Sequence, residues 1–319
     1  LWSGVPVGMP ASPDPARPRI VFSGAATFDT IFKLDVLPKG PGKVLPSDAV
    51  QVAHGMASSA AAAAATLGGR SLLFARVGDD AIGIKIIEDL TAAGVDCTYV
   101  RRVAEARSPL CAVLVDAAGE RLVVPFYDPK LDRSTDWLPL EQVAEADAVL
   151  VDVRWPEGAT KVLEAARDAG IPAVLDADVG PKETIVALAG LATHAVFSEP
   201  AATIVTGEAE PEKALRALGR RFENFLAVTA GPEGCFWLER EIDMVRQLRA
   251  PKVVAVDTLA AGDVFHGAFT LAVAEGQSIP DAIAFANAAA ALKCTVFGGR
   301  LGAPTREEVR AALNEKGNS

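Results

Sequence analysis

From Arg19 onward the chain alternates short, wholly apolar runs with longer amphipathic stretches, and that rhythm constrains its fold more than any other feature. The runs at Ile20–Ser23, Ser71–Val77, Cys97–Val100, Ala148–Asp152, Ala173–Asp176, Ala195–Phe197 and Phe225–Thr229 read as strands. Helices are predicted between them at Ala57–Leu67, Ala81–Ala93, Glu157–Ala169, Ala201–Thr206 and Pro211–Phe222. Three more, at Gly262–Glu275, Asp281–Lys293 and Arg306–Asn314, close the chain. Strands apolar on both faces belong inside a sheet covered by helices on both sides, and β-α alternation makes that sheet parallel. Two segments break the rhythm. Thr30–Val52 carries Pro38, Gly40, Pro41, Gly42 and Pro46 between apolar stretches, and Leu110–Phe126 is two apolar runs around Asp116-Ala117-Ala118-Gly119, a hairpin signal. Together they predict a small β lid, from about 30–53 and 108–128, over one edge of the main sheet. No internal repeat and no linker between two cores is visible, so 19–319 reads as one domain.

Composition narrows the class. The 319 residues include 41 acidic and 31 basic side chains, a formal charge of −10, which argues against a nucleic-acid partner or an anionic membrane surface. No apolar run approaches the ~18 residues of a transmembrane helix. Residues 1–18 are rich in Pro, Gly and Ser and have neither a basic start nor a long apolar core, so they read as a disordered or vector-derived leader, with Met9 near the natural start. Cys97, Cys111, Cys235 and Cys294 are too widely spaced for paired-cysteine chemistry and read as free thiols of a reducing, cytoplasmic compartment. His54 and His194 have no partners at metal spacing, Trp137, Trp155 and Trp237 read as packing residues, and His266 is expected to face the core rather than a ligand.

The chemistry concentrates in Val256-Asp257-Thr258-Leu259-Ala260-Ala261-Gly262-Asp263-Val264-Phe265-His266. An extended stretch, Val253–Val256, runs into small residues and then a long apolar helix. Small residues let the backbone approach a ligand, and the first amides of the helix point at it, which makes an anion site. An ordinary helix cap would explain one of Asp257 and Asp263, though not an acid twice, six residues apart. No GxxxxGK(S/T) P-loop motif occurs, and no GxGxxG dinucleotide motif follows the first strand, which has only Gly24.

The stretch resembles the second signature of the ribokinase-like, or PfkB, family of carbohydrate kinases, usually D-T-x-G-A-G-D-x-F, with Ala260 where the first glycine stands. Other family markers follow in order from about Ile20 to Thr305: Gly24 to Asp29, Ala75-Arg76-Val77-Gly78-Asp79-Asp80 with Gly83, and Thr229-Ala230-Gly231 with Gly234. The resemblance implies a ribokinase-like three-layer α/β/α fold with a mostly parallel central sheet and a small β lid. It implies ATP and Mg²⁺ as cosubstrate and cofactor, and a homodimer in which the β lid pairs with its copy. Asp263 would be the general base, with an anion hole at the amides of Ala260, Ala261 and Gly262. Asp29, Gly55 and Ser59 would bind the sugar, and Thr229, Gly231, Gly234 and Asn287 the nucleotide. Asp257 and Glu199 would belong to the metal shell. Ser59 replaces the family's Asn, and Ser198-Glu199-Pro200-Ala201 keeps only part of its N-x-x-E motif.

Within the family, Asp152-Val153-Arg154-Trp155, Gly42-Lys43 and Gly298-Gly299-Arg300 resemble the sulfofructose kinase branch, in which Lys43 and Arg154 would hold a sulfonate. That makes a ketose-type sugar, with sulfofructose or another anionic sugar among the candidates, the expected substrate. A nucleoside kinase and a catalytically silent sugar or nucleotide sensor are the alternatives.

Overall fold

The computed structural model describes residues 17–131 and 133–316. Its strands are β1 (Arg19–Gly24), β2 (Thr27–Lys33), β3 (Asp48–His54), β4 (Arg70–Gly78), β5 (Val95–Asp96), β6 (Val100–Val103), β7 (Leu110–Val115), β8 (Arg121–Phe126), β9 (Ala148–Asp152), β10 (Ala173–Ala177), β11 (His194–Ser198), β12 (Phe225–Thr229), β13 (Cys235–Glu239) and β14 (Met244–Leu248). The helices are α1 (Met56–Thr66), α2 (Ala81–Ala92), α3 (Glu141–Ala144), α4 (Pro156–Ala169), α5 (Lys182–Leu191), α6 (Glu199–Thr206), α7 (Pro211–Gly219), α8 (Ala261–Ala274), α9 (Ile279–Lys293) and α10 (Arg306–Lys316).

The large sheet runs β14-β13-β12-β11-β10-β9-β1-β4-β5, with β6 also on β4. It is parallel from β12 to β6 and antiparallel only at β13 and β14. Side chains alternate faces along each strand. Ile20 and Phe22 of β1 therefore enter a core built with α1, α8 and α9, while Val21 enters a second core with α4, α5 and α7. The alanine tract of α1 lets α8 lie against it: a Cβ on Gly267 would strike the Ala60 carbonyl. After β1 the chain first builds β4 on one side and later β9 on the other. The carboxyl ends of β1 and β9 thus flank a topological switch point, where open α/β sheets form their ligand crevice.

The predicted lid is a separate sheet ordered β3-β2-β7-β8, with its own core of Ile31, Val52, Cys111, Val113, Val115 and Leu259. Leu259 comes from the Asp257–Asp263 stretch before α8, so lid and main layer share that residue. Four differences from the expectation stand out. β13 and β14 were unforeseen, since MVRQL is a largely exposed edge strand without an apolar run. α5 was also missed. The strand expected at Cys97–Val100 is mostly the turn between two short strands, β5 and β6. α3 was not expected either, while Val253–Val256, read as an extended stretch, belongs to no strand. All four cysteines are free, and no helix among the described residues is long and apolar enough to cross a membrane. The leader falls almost wholly on residues 1–16, outside the described residues.

Candidate active site

The centre of the crevice is Asp152, the last residue of β9. It is completely buried. Its Oδ2 accepts hydrogen bonds from the amides of Ala25 (2.8 Å) and Ala57 (3.0 Å), and its Oδ1 accepts from Arg154 (2.8 Å). One carboxylate therefore ties the β1–β2 turn to the first turn of α1. Gly24 leaves room for it, since a Cβ there would overlap the carboxyl group.

Around this tie lie the residues expected to bind sugar. Asp29, on β2, is buried and accepts from the Thr27 hydroxyl at 2.6 Å; its other oxygen faces His54 Nδ1 at 3.5 Å. Burial pushes its carboxyl up to about 6, with the Thr27 bond opposing. Gly55 starts α1 with φ near 113°, where a Cβ would meet the Ala25 carbonyl. Ser59 is fully buried and its hydroxyl has no protein partner, as expected of a group kept for a ligand or a water. Lys43 and Arg154 are a different matter. Lys43 is exposed on the segment between β2 and β3. Arg154 donates to the Val179 carbonyl at 2.7 Å and faces Asp178 at 3.6 Å, so part of its fork is already used.

Asp263 sits in the first turn of α8. Burial holds its carboxyl well above the usual carboxylate range, and the charges of Asp176, Asp178 and Asp152 push it further. Arg121, from the lid strand β8, opposes that shift. Arg121 also donates to the Thr258 hydroxyl (2.9 Å) and carbonyl (3.3 Å), and Thr258 donates in turn to the Gly119 carbonyl at 3.0 Å. The tip of the lid hairpin is thereby latched onto the turn that enters α8. The sequence reading missed Arg121, because nothing local distinguishes it from any solvent-facing arginine on a hairpin.

The turn before α8 keeps the geometry of a glycine without having one. Ala260 is left-handed, φ 64° and ψ 7°, a conformation costly to residues with a Cβ. It turns the chain so that the first amides of α8 face outward. One expected donor needs correction: the Ala261 amide bonds the Thr258 carbonyl at 3.2 Å as the turn closes. Among the described residues the amides of Ala260, Gly262 and Asp263 bond no backbone carbonyl, and unpaired amides at a helix start suit an anion.

His266 is buried, as expected. Its Nδ1 lies 2.8 Å from the Gly262 carbonyl, which can only accept, so Nδ1 carries the hydrogen. Nε2 faces both the Val196 carbonyl at 3.4 Å and Asp176 Oδ1 at 3.5 Å. Burial holds the imidazole below its ordinary value, with the Gly262 and Val196 carbonyls opposing, and burial holds Asp176 well above the carboxylate range.

Asp257 does not reach the crevice, contrary to the metal-shell expectation. It is fully buried and its oxygens accept from Leu259, Gly298 and Gly299, with Lys293 alongside. Glu199 is exposed at the start of α6, where Ser198 caps the helix and donates to Asp178 at 2.8 Å. Among the described residues no cluster of three or more His, Cys, Asp or Glu side chains is placed to hold a metal ion. On the nucleotide side, Thr229 ends β12 and Gly231 begins the next turn. Gly234 packs against the Leu248 carbonyl, and Asn287 donates to that same oxygen at 2.8 Å.

A parallel sheet capped by a β lid, with a carboxylate of raised basicity at a helix start, defines a phosphotransferase that acts on an alcohol group. The chain belongs to the pfkB family of carbohydrate kinases, whose model matches residues 17–306. It is 31% identical over 302 residues to the ribokinase of Bacillus subtilis, covering 93% of this chain and 99% of that one. A crystal structure from Agrobacterium tumefaciens, provisionally named a ribokinase, is 50% identical with a TM-score of 0.92, over 95% of this chain and 99% of that one. The Arabidopsis thaliana ribokinase complexed with ribose and ATP is 26% identical with a TM-score of 0.80, over 93% and 99%.

Proposed function

We propose that this carbohydrate kinase moves the γ-phosphoryl group of ATP to a sugar hydroxyl, with Asp263 as general base. The hydroxyl oxygen forms a bond to the γ-phosphorus as the bond to the β-phosphate oxygen breaks. The hydroxyl proton passes to the Asp263 carboxylate, and ADP leaves with the bridging electrons. The observation that carries the reading is the environment of Asp263: a carboxylate made more basic by burial and three acidic neighbours, at the start of a helix whose free amides attract phosphate. The Gly262 and Asp263 amides and the Arg121 cation would stabilise the charge that spreads over the phosphoryl oxygens. Mg²⁺ would arrive on the phosphates of ATP, as that ion prefers, keeping waters that Glu199 could hold. The Thr229–Gly234 turn would seat the nucleotide.

A pentose of the ribose type is the first substrate to try, because the curated relative and the ligand-bound Arabidopsis structure are both ribokinases. The anionic-ketose reading rests on short segments that resemble the sulfofructose branch, and Arg154 already spends hydrogen bonds inside the protein. Homodimerisation would use β8, whose Leu122, Val123 and Val124 are exposed on the lid edge, and the free cysteines agree with a cytoplasmic setting.

The test is ATP turnover against ribose, deoxyribose, fructose, sulfofructose and adenosine, beside the Asp263→Asn variant. The variant should lose about 10²–10⁴ in kcat. Equal rates would remove Asp263 as the base. A sugar bound with no phosphate transferred would favour the sensor, and turnover of adenosine alone the nucleoside kinase.

A further inference from the structure

Lys293 is the last residue of α9 and one of the largest fully buried side chains of the molecule, with 0% of it exposed. Its Nζ donates to the Asp257 carbonyl at 2.6 Å and lies 3.3 Å from Asp257 Oδ2, itself 0% exposed. Burial lowers the ammonium from its ordinary value while the Asp257 charge opposes the shift. A pair this deep stabilises a fold weakly, because two apolar side chains of the same volume would serve as well or better. What apolar residues could not do is shown by the rest of the cluster. Asp257 Oδ1 accepts from the Leu259 amide (2.8 Å), and Oδ2 accepts from Gly298 (3.0 Å) and Gly299 (2.9 Å). The amides of Val256 and Asp257 both bond the carbonyl of Cys294, the residue after Lys293.

Three chain segments therefore meet on one ion pair: the end of α9, the turn entering α8, and the Gly298–Gly299 bend. The bonded Leu259 amide directly precedes Ala260, whose left-handed turn aims the first amides of α8 and Asp263. Gly299, in turn, lies against His54, beside the segment that begins the sugar side of the crevice.

We propose that Lys293 is a positioning residue, an internal tethered cation whose bond to Asp257 fixes the turn that presents the phosphate-binding amides and Asp263. The inference rests on the kinase reading above and adds a residue that touches neither substrate. Lysine supplies a compact charge with several donors, so one ammonium serves the carbonyl and the carboxylate of the same residue. Without it, Asp257 keeps a buried charge with only amides for company, and the turn rearranges to reach water or another cation.

The experiment compares wild type with Lys293→Met, which fills the space without charge, and Lys293→Ala, which leaves room for a small cation. Both should lose about 10²-fold in kcat, the cost of a displacement of about 1 Å at the reacting groups, with KM for ATP and sugar within about twofold. Ammonium or methylammonium should restore much of the kcat of Lys293→Ala and raise its melting temperature. Tetramethylammonium, too large for the space, should do neither, and Lys293→Met should respond to none of the three. An active wild type beside Lys293→Met at the same kcat overturns this inference alone. So does a Lys293→Ala that small amines neither reactivate nor stabilise. A wild type inactive on every sugar overturns the kinase reading instead, and the amine-dependent melting of Lys293→Ala then still decides whether the site holds a cation. Should both single variants fail to fold, Asp257→Asn/Lys293→Met, which removes both charges, decides: folded and slow supports the proposal, folded and fully active refutes it.

Discussion

Replacing Asp152 by Asn changes one atom at the centre of the crevice and should separate the sugar side from the nucleotide side. The wild-type carboxylate accepts three amide hydrogens, two on Oδ2 and one on Oδ1. An asparagine of the same shape has a single acceptor oxygen. If that oxygen serves Ala25 and Ala57, its NH₂ is turned against the Arg154 amide, and a buried donor is orphaned at about 1–3 kcal/mol. The two surviving bonds also lose their charge assistance. Against this stands the relief of a buried charge, since burial raises the Asp152 carboxyl. The net cost is about 2 kcal/mol, which in a chain of this size lowers the melting temperature by about 3–6 °C. Asp152→Ala, which orphans all three amides, should cost more. Because the tie joins the β1–β2 turn to α1, KM for the sugar should rise in Asp152→Asn while KM for ATP stays close to wild type. Thermal melts and initial rates at varied sugar and varied ATP read both effects. If Asp152→Asn melts with wild type and its sugar KM is unchanged, the tie does not organise the crevice and the argument fails.

Three further outcomes follow from the same geometry. The base must be ionised to accept a proton, so kcat should rise with pH through the raised pKa of Asp263; Asp176→Asn removes a charge that raises it, and the acid limb of the pH–rate profile should move to lower pH. Arg121→Ala removes a cation that opposes the rise, so that limb should move the other way; the loss of the Thr258 latch should also raise the sugar KM, and an unmoved limb would place Arg121 too far from Asp263 to act on it. Ala260→Gly relieves a left-handed residue and should raise stability by about 1 kcal/mol, seen in urea denaturation; a loss of stability would mean the Ala260 methyl group matters more than the backbone strain.

The layers of the fold were legible because their signals are local. Apolar runs such as AVLVD of β9 admit no surface position, and the prolines and glycines of 30–53 forbid a helix there, so the parallel sheet and the lid could both be read. The antiparallel strand β13 and the edge strand β14 were not legible: MVRQL of β14 alternates weakly, and only its pairing with CFWLE makes it a strand. The same limit applies at the site. Asp263 could be picked out from its small neighbours and the helix that follows. Asp257 could not be oriented, because the spacing of two acids does not say which one turns inward, and the answer lies 36 residues away in the ammonium of Lys293. A lysine ending an apolar helix looks like an ordinary partner of the helix dipole. Arg121 is 137 residues from Thr258, and Asp152 lies 127 residues from Ala25. Each of these side chains gains its role from a partner that sequence spacing does not reveal.

The carboxylates at the strand ends show what the site costs the fold. Asp152, Asp176 and Asp263 all have folded pKa values raised by burial. In the unfolded chain they ionise at ordinary values, so their contribution to stability is fully present only below that range and is lost as pH rises through the folded values. Near neutrality the cluster therefore works against folding. A stable core would have no use for it, and Asp176→Asn, which weakens the base, should for the same reason make the protein harder to unfold at neutral pH. The net charge of −10 tells nothing of this. What matters is where the few buried charges sit: acids gathered around Asp263, one lid arginine that opposes them, and one lysine sealed against Asp257 under the turn that leads to it.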